Sequence, residues 1–527
     1  MSNMKTGNDL SMFEKLPDEF LSLVIQTLVS EEPDGSSMKQ LSLTSRRLRS
    51  RCLPALFQQV SVDCAHHQTS VPPPASWPFV RTLVLFGSFT TYSGFHMGNF
   101  LGTLLHLVML RKICFRNLKG GVCWLHLEQL CNTPAFRVLE IMESSAFRRS
   151  DFWFPPDTCH TKFPLTGFIY TIQDPYVSDW NENRRPALPR RCYMAPLFLA
   201  LHQRLEVLHL PSAMAPLEQM ASLDWPSLRE LKLYDEHCEA DPNIFARLCS
   251  RMPRLRILDL RFFHTGPSTQ TLIWAPDPSL TAPLSNIETV YLPYPDPKDA
   301  LYAHLPSTLR KLHLVDCPRY YRFNVKLTET IDGFTKPYLV TASDLLGIFD
   351  EMPGPFTALE QLEVAFKADA NERLLSRHIV TTFPNLRFLQ LHRYRSEGES
   401  ESDNETAVES IGHDISDLLH LRHLRLYINL PKDDFRYPVS EEGSCDTRVA
   451  SSEELTDLFY GYAMTIAQNC GPALHTIDFL STWIYRRQVW TRWFISRGGK
   501  GHIVVERCRD ESGDFFLPSV CYLSDPS

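Results

Sequence analysis

The chain has 527 residues, 43% of them hydrophobic and 22% charged, with a net charge of −8. This is long enough for several compact domains or one extended repeat array, and the mild negative charge gives no electrostatic reason to expect binding to nucleic acid or to an anionic membrane. The longest apolar run, residues 104–110, is broken by His106 and is too short to span a bilayer. The first residues lack the hydrophobic region of a secretory signal. The fourteen cysteines are scattered, and none form a Cys-x-x-Cys pair. They read as small buried apolar residues of a reducing compartment, so the expected setting is cytoplasmic or nuclear.

In chain order, a disordered tail is expected over residues 1–11, then a helical segment over 12–62. The first helix starts at Leu16-Pro17, where the proline ring presets φ and removes an N–H that would have no partner. Asp18 and Glu19 follow at the positive end of the helix dipole. Phe20, Leu21, Val24, Ile25 and Leu28 then recur at helical spacing. After a polar break, a second amphipathic stretch carries Leu41, Leu43, Leu48, Leu53, Leu56 and Phe57, with Arg46, Arg47, Arg49 and Arg51 interleaved. A segment of this size cannot bury an adequate core alone and must dock onto something.

The Leu16-Pro17 opening, the Ile25/Leu28 pair and the Leu41-Ser42-Leu43-Thr44-Ser45-Arg46-Arg47-Leu48 run resemble the F-box. The F-box is the helical module that plugs a protein into the Skp adaptor of cullin–RING ubiquitin ligases. The resemblance implies that Leu16, Pro17, Phe20, Val24, Ile25, Leu28, Leu41 and Leu48 carry the adaptor contact. One departure from the family pattern is the lack of a Trp near the end of the segment.

A linker is expected over 63–79. From residue 80 to 527 one phrase, apolar-x-x-apolar-x-apolar, occurs thirteen times. Clear copies are Leu228-Arg229-Glu230-Leu231-Lys232-Leu233, Leu255-Arg256-Ile257-Leu258-Asp259-Leu260 and Leu309-Arg310-Lys311-Leu312-His313-Leu314. The spacing is mostly about 22 to 32 residues, which matches the leucine-rich-repeat period, with longer insertions before Leu205, Leu359 and Leu474. Each phrase predicts one short strand whose three apolar side chains enter a stacked core while the intervening residues face outward. The expected fold is therefore α/β: a small helical F-box followed by a curved leucine-rich-repeat solenoid with irregular insertions. Such an architecture looks like the large fungal F-box families. The acidic, serine-rich segment 395–412 reads as a disordered loop.

No Gly-x-Ser-x-Gly, His-Glu-x-x-His or Gly-x-x-x-x-Gly-Lys pattern occurs. The Gly498-Gly499-Lys500-Gly501 run, followed by Ile503-Val504-Val505, predicts a turn rather than a phosphate loop. No catalytic residue, metal site or cofactor is expected. The resemblance implies a substrate-recognition subunit, with the Skp adaptor and its cullin–RING ligase as partners and a protein substrate on the repeats. The alternative is a repeat scaffold unconnected with ubiquitin. Candidate substrate-binding residues are the outward ones: Lys232, Tyr234, Asp259, Arg261, Tyr291, Lys311, His313, Phe388, His392, Arg425 and Tyr427. Arginine and aromatic side chains are the usual anchors of a protein interface.

Overall fold

A computed structural model describes residues 15–31, 35–64, 72–88, 104, 106–119, 136–144, 164–173, 195–236, 243–263, 272–276, 284–317, 319–321, 338–430, 452–484, 487–498 and 502–508. The expected tail 1–11 lies outside these residues. The chain divides into two units, one of residues 1–178 and 186–208, the other of 179–185 and 209–527.

The first unit begins with three helices, α1 (Asp18–Glu31), α2 (Ser36–Thr44) and α3 (Arg46–Leu56). Ile25, Met38 and Cys52 form their common core, with Leu41, Ala55 and Leu56 packed against it. Ser45 caps α3 by accepting a hydrogen bond from the Leu48 amide at 3.2 Å. Arg47 ties α3 back to the start of α1, donating to the Leu16 carbonyl and to Asp18, both at 2.8 Å. Arg51 joins the same carboxylate.

Directly after α3 comes β1 (Gln59–Asp63), which pairs in parallel with β2 (Thr82–Ser88). The parallel sheet thus starts one strand before residue 80, inside the segments expected as helical module and linker. β2 is followed in register by β3 (Lys112–Lys119), β4 (Val138–Ser144) and β5 (Gly167–Gln173). The unit also holds α4 (Ala195–Leu201), and the boundary between the units falls within β6 (Val207–Pro211).

In the second unit β7 (Glu230–Glu236), β8 (Ile257–Phe263), β9 (Thr289–Pro293), β10 (Lys311–Val315), β11 (Gln361–Lys367), β12 (Phe388–Tyr394), β13 (His423–Ile428) and β14 (Thr476–Ile484) pair in parallel in chain order. Each of the thirteen repeated phrases lies on one of the strands β2 to β14. Their apolar positions are buried: Leu231, Leu258, Leu312, Leu362, Leu389 and Leu424 are all fully inside. The residue just before each strand carries the register. Its amide donates to the equivalent carbonyl of the preceding repeat, as in Arg256 to Arg229 at 2.7 Å and Arg422 to Arg387 at 2.9 Å.

Helices fill the returns: α5 (Leu217–Ala221), α6 (Ile244–Ser250), α7 (Ala342–Asp350), α8 (Glu372–Thr382), α9 (Glu401–Asp414) and α10 (Ser452–Asn469). A parallel strand cannot be reached by a tight turn, so each repeat needs such a crossover. At the end of the chain, β15 (Arg487–Arg497) and β16 (Ile503–Arg507) add as antiparallel strands. The Gly498–Gly501 run sits between them, and the Gly498 amide donates to the His502 carbonyl at 2.8 Å. Arg497 reaches the end of α10, donating to the carbonyls of Ala467, Cys470 and Gly471 at 2.9, 3.0 and 3.1 Å. That places a cation on the negative end of the helix dipole.

α9 corrects the expectation of a disordered loop over 395–412. Acidic residues there occupy the first turn of a helix, where its dipole favours them. Asp403 accepts from the Ser400 amide at 2.6 Å and hydroxyl at 2.7 Å. Asn404, Val408 and Ile411 form the buried stripe.

Candidate interaction surface

Two surfaces come from the residues singled out above. On the helical module, burial separates them into two groups. Ile25 and Leu48 are buried and hold the helices together. Leu16, Val24, Leu28 and Leu41 are half-buried, and Pro17 and Phe20 are exposed, Phe20 at 58%. Leu23 and Val29, which the helical stripe did not select, and Leu43, which the second amphipathic stretch included, belong with the exposed set; Leu23 and Leu43 are 60% and 72% exposed. For Leu23 and Val29 the sequence signal was surplus: they are apolar residues beyond the single stripe a closed core requires. A module whose core is complete and which still presents Phe20, Leu23 and Leu43 carries a surface suited to docking.

On the second unit, the fifth residue of each phrase aligns across the sheet. Lys232, Asp259, Tyr291, His313, Glu363, Gln390, Arg425, Asp478 and Arg492 form one continuous row, one residue from each of nine strands. At one end, Glu230 accepts from His209 and Lys232 at 2.8 and 2.9 Å. Burial works to raise the Glu230 pKa, but these two partners hold it down to about 2. Next, Arg261 donates to Asp259 at 2.9 Å and lies over the Tyr291 ring at 4.2 Å, and Tyr291 stacks on His313.

Glu363 is the hub of the middle. It receives His313 Nδ1 at 2.9 Å, Arg319 at 2.7 Å and the Gln390 amide at 2.7 Å. Burial pushes its pKa up, and the opposing Arg319 charge and histidine hydrogen bonds bring it well below the ordinary carboxylate value. The Gln390 amide also approaches His392 Nε2 at 2.7 Å. Arg319 holds Asp316 at 2.9 Å as well, and Asp316 accepts from the Tyr394 hydroxyl and the Tyr320 amide. Above this network lies a cluster of Tyr321, Leu339, Ala365, Tyr394, Tyr427 and Leu480, with Tyr320 and Trp490 against it.

That cluster corrects part of the outward set. Tyr427 is buried within it and His392 against Tyr427 and Trp490, and Tyr234, Asp259 and Tyr291 are buried elsewhere on the strands, Tyr291 under Arg261. These five hold the sheet face together rather than present it. Lys232, Arg261, Lys311, His313, Phe388 and Arg425 remain half-buried.

At the far end of the row, Asp478 is 1% exposed at its side chain and is flanked by Arg492, Arg425 and His423. Oδ1 accepts from Arg492 Nε at 2.9 Å; Oδ2 accepts from Arg492 Nη2 and Arg425 Nε, each at 3.1 Å, and lies 2.9 Å from His423 Nε2. Burial tends to raise its pKa; His423 and Arg492 outweigh it and hold the carboxyl below its usual range. Glu363, Gln390 and Asp478 were legible, because they occupy the same fifth position as His313 and Arg425. Arg492 and Trp490 were not, because they lie on an antiparallel strand outside the repeat.

The buried thiols of Cys64, Cys114, Cys249 and Cys470 are pushed up to about 12 by burial, which makes them poor nucleophiles.

No protein-family model matches the chain, and no curated protein matches it. Among solved structures, it is similar to one described as a complex of Rad7 and Elc1 in yeast, at 12% identity and a TM-score of 0.32, covering 73% of this chain and 90% of that one. It is also similar to a TLR13–ssRNA13 complex (13% identity, TM-score 0.22, 70% and 58% covered). A third is the Toll–Spatzle complex of Drosophila (12% identity, TM-score 0.21, 70% and 57% covered). Likeness at these TM-scores carries no argument about what this chain does.

Proposed function

We propose that this chain is the substrate-recognition subunit of a ubiquitin ligase of the Skp–cullin–F-box type. Its α1–α3 module docks on the Skp adaptor, and the sheet face of its second unit holds a protein substrate. The observation that carries this reading is the exposed apolar set Phe20, Leu23 and Leu43 on a helical module whose own core is already closed by Ile25, Met38 and Cys52. Exposed apolar surface on so small a module is stabilised by a partner. The chain itself supplies no catalytic group in this reading. Tethering raises the effective concentration of substrate lysines beside the ubiquitin-charged enzyme, in the cytoplasm or the nucleus.

The test is a pull-down of the full chain with purified Skp adaptor, beside three variants. The parent binds. Leu43→Asp and Phe20→Asp lose binding with an unchanged melting curve, because exposed positions tolerate substitution within about 0.5 kcal/mol. Leu48→Ala loses binding and also destabilises the first unit by about 2–5 kcal/mol, because it opens a cavity in the core. A parent chain that does not bind the adaptor leaves a repeat scaffold unconnected with ubiquitin.

A further inference from the structure

The ion pairs along the sheet row are not balanced in the same way. Arg261 holds Asp259 at 2.9 Å, and Arg319 is shared by two carboxylates, Asp316 and Glu363. At the end of the row the ratio reverses: one buried carboxylate, Asp478, faces two guanidinium groups and His423. Arg492 engages both oxygens of Asp478, through Nε and Nη2. Its bidentate contact and the charge of one Arg already compensate the buried acid.

Arg425 makes the lesser contact with Asp478. Among the described residues it hydrogen-bonds Asp478 through Nε alone, at 3.1 Å, which leaves its two terminal nitrogens as donors. The side chain is 30% exposed. Its guanidinium is held between two aromatic rings, Phe388 at 5.4 Å and Trp490 at 5.3 Å. An arginine anchored through Nε and fixed by two rings keeps its fork preorganised, which lowers the entropy cost of gripping an anion. Phe494, 46% exposed on β15, adds apolar surface nearby, two residues along the strand from Arg492.

We propose that Arg425 is the anion-binding centre of a docking patch formed with Phe388, Trp490 and Phe494, and that it takes a carboxylate or phosphate carried on an extended segment of a protein partner. The proposal rests on the reading that the sheet face holds the partner. Charge complementarity commits the occupant: among the described residues the terminal nitrogens of Arg425 meet no carboxylate, and an acidic side chain would satisfy them. Two guanidinium groups on one carboxylate among aromatic rings suit a protein segment and not a nucleic-acid backbone, which is tracked by a run of cations.

Peptide arrays probed with the full chain test this. All peptides share the same set of randomised flanks, and the central residue is phosphoserine, phosphotyrosine, Glu or Gln. Anionic centres should retain about tenfold more protein than Gln, since a charge-assisted fork is worth at least that ratio. Arg425→Gln should abolish the preference, and Arg425→Lys, which keeps the charge but not the fork, should retain part of it. Both variants keep Arg492 and His423 on Asp478, so the fold is checked by an unchanged melting curve. Retention of the phosphorylated sets alone assigns phosphate as the source; retention of Glu as well assigns any acidic side chain.

Absence of an anionic preference overturns the proposal, as does a preference that survives in Arg425→Gln. Equal retention of all four sets that is lost in Phe388→Ala also overturns it, while leaving the sheet face as a docking surface. Failure of the adaptor reading is visible separately, in the pull-down.

Discussion

His392 shows how a side chain chosen for its outward position becomes part of the interior. It lies between Glu363 and Gln390 on one side and Tyr427 and Trp490 on the other, and its Nδ1 has no hydrogen-bond partner among the described residues. Burial, followed by the positive field of Arg319, keeps its pKa below the ordinary 6.5 against the opposing pull of Glu363. The folded chain therefore resists a proton that the unfolded chain accepts, and this contribution to stability is lost as the pH falls below 6.5. Glu363 acts in a lower window. Its depressed value gives stability that is present above the ordinary 4.5 and is lost as the pH falls toward the folded value. Thermal midpoints of the parent and His392→Gln between about pH 7 and about pH 5 isolate the first effect. The variant keeps an acceptor for Gln390 but does not titrate, so its midpoint should fall less than the parent's over that range. An identical fall would remove His392 from the acid response. At this scale the charged fifth positions were legible in the repeated phrase. The burial of five of the eleven outward residues was not, because burial depends on what packs across the strands.

Helices α7 and α9 each contain a glycine, and their surroundings give opposite predictions. At Gly347 an added Cβ would meet nothing within 4 Å, so Gly347→Ala should stabilise by about 0.5–1 kcal/mol by restricting the unfolded chain. At Gly412 the added atom would lie 3.3 Å from the Ile466 backbone of α10. Gly412→Val should therefore cost about 1–3 kcal/mol through overpacking. Denaturant titration of the two variants checks the pair, and equal shifts would mean that the α9–α10 contact is not tight. α9 also shows why composition alone misleads. Its acidic, serine-rich sequence suits a solvated loop, yet the same residues cap a helix start. The Asn404, Val408, Ile411 spacing was the legible sign of a helix. Asn404 has the sequence of a glycosylation acceptor but is fully buried and takes a hydrogen bond from Arg393.

Within each unit, the described strands hydrogen-bond to their sequence neighbours, so stability should spread largely as a sum of nearest-neighbour terms. Leu312 is fully buried on β10, between β9 and β11. Leu312→Ala should cost about 2–5 kcal/mol and accelerate amide exchange in β9, β10 and β11 while leaving β2 to β4 protected as before. Hydrogen exchange read by mass spectrometry distinguishes this from uniform loss of protection, which would show one cooperative block. By itself, the sequence determined the strands: three apolar side chains at fixed offsets can be buried only if each phrase stacks on the next, so thirteen copies specify a parallel array and its register. Tertiary structure alone decided which outward residues stay available. Availability turns on partners far apart in the chain: the segment 319–321 over the sheet face, and the antiparallel β15 that brings Arg492 and Trp490 beside Arg425. No local pattern records such contacts, because the packing that closes or opens a surface belongs to pairs of strands and not to either strand alone.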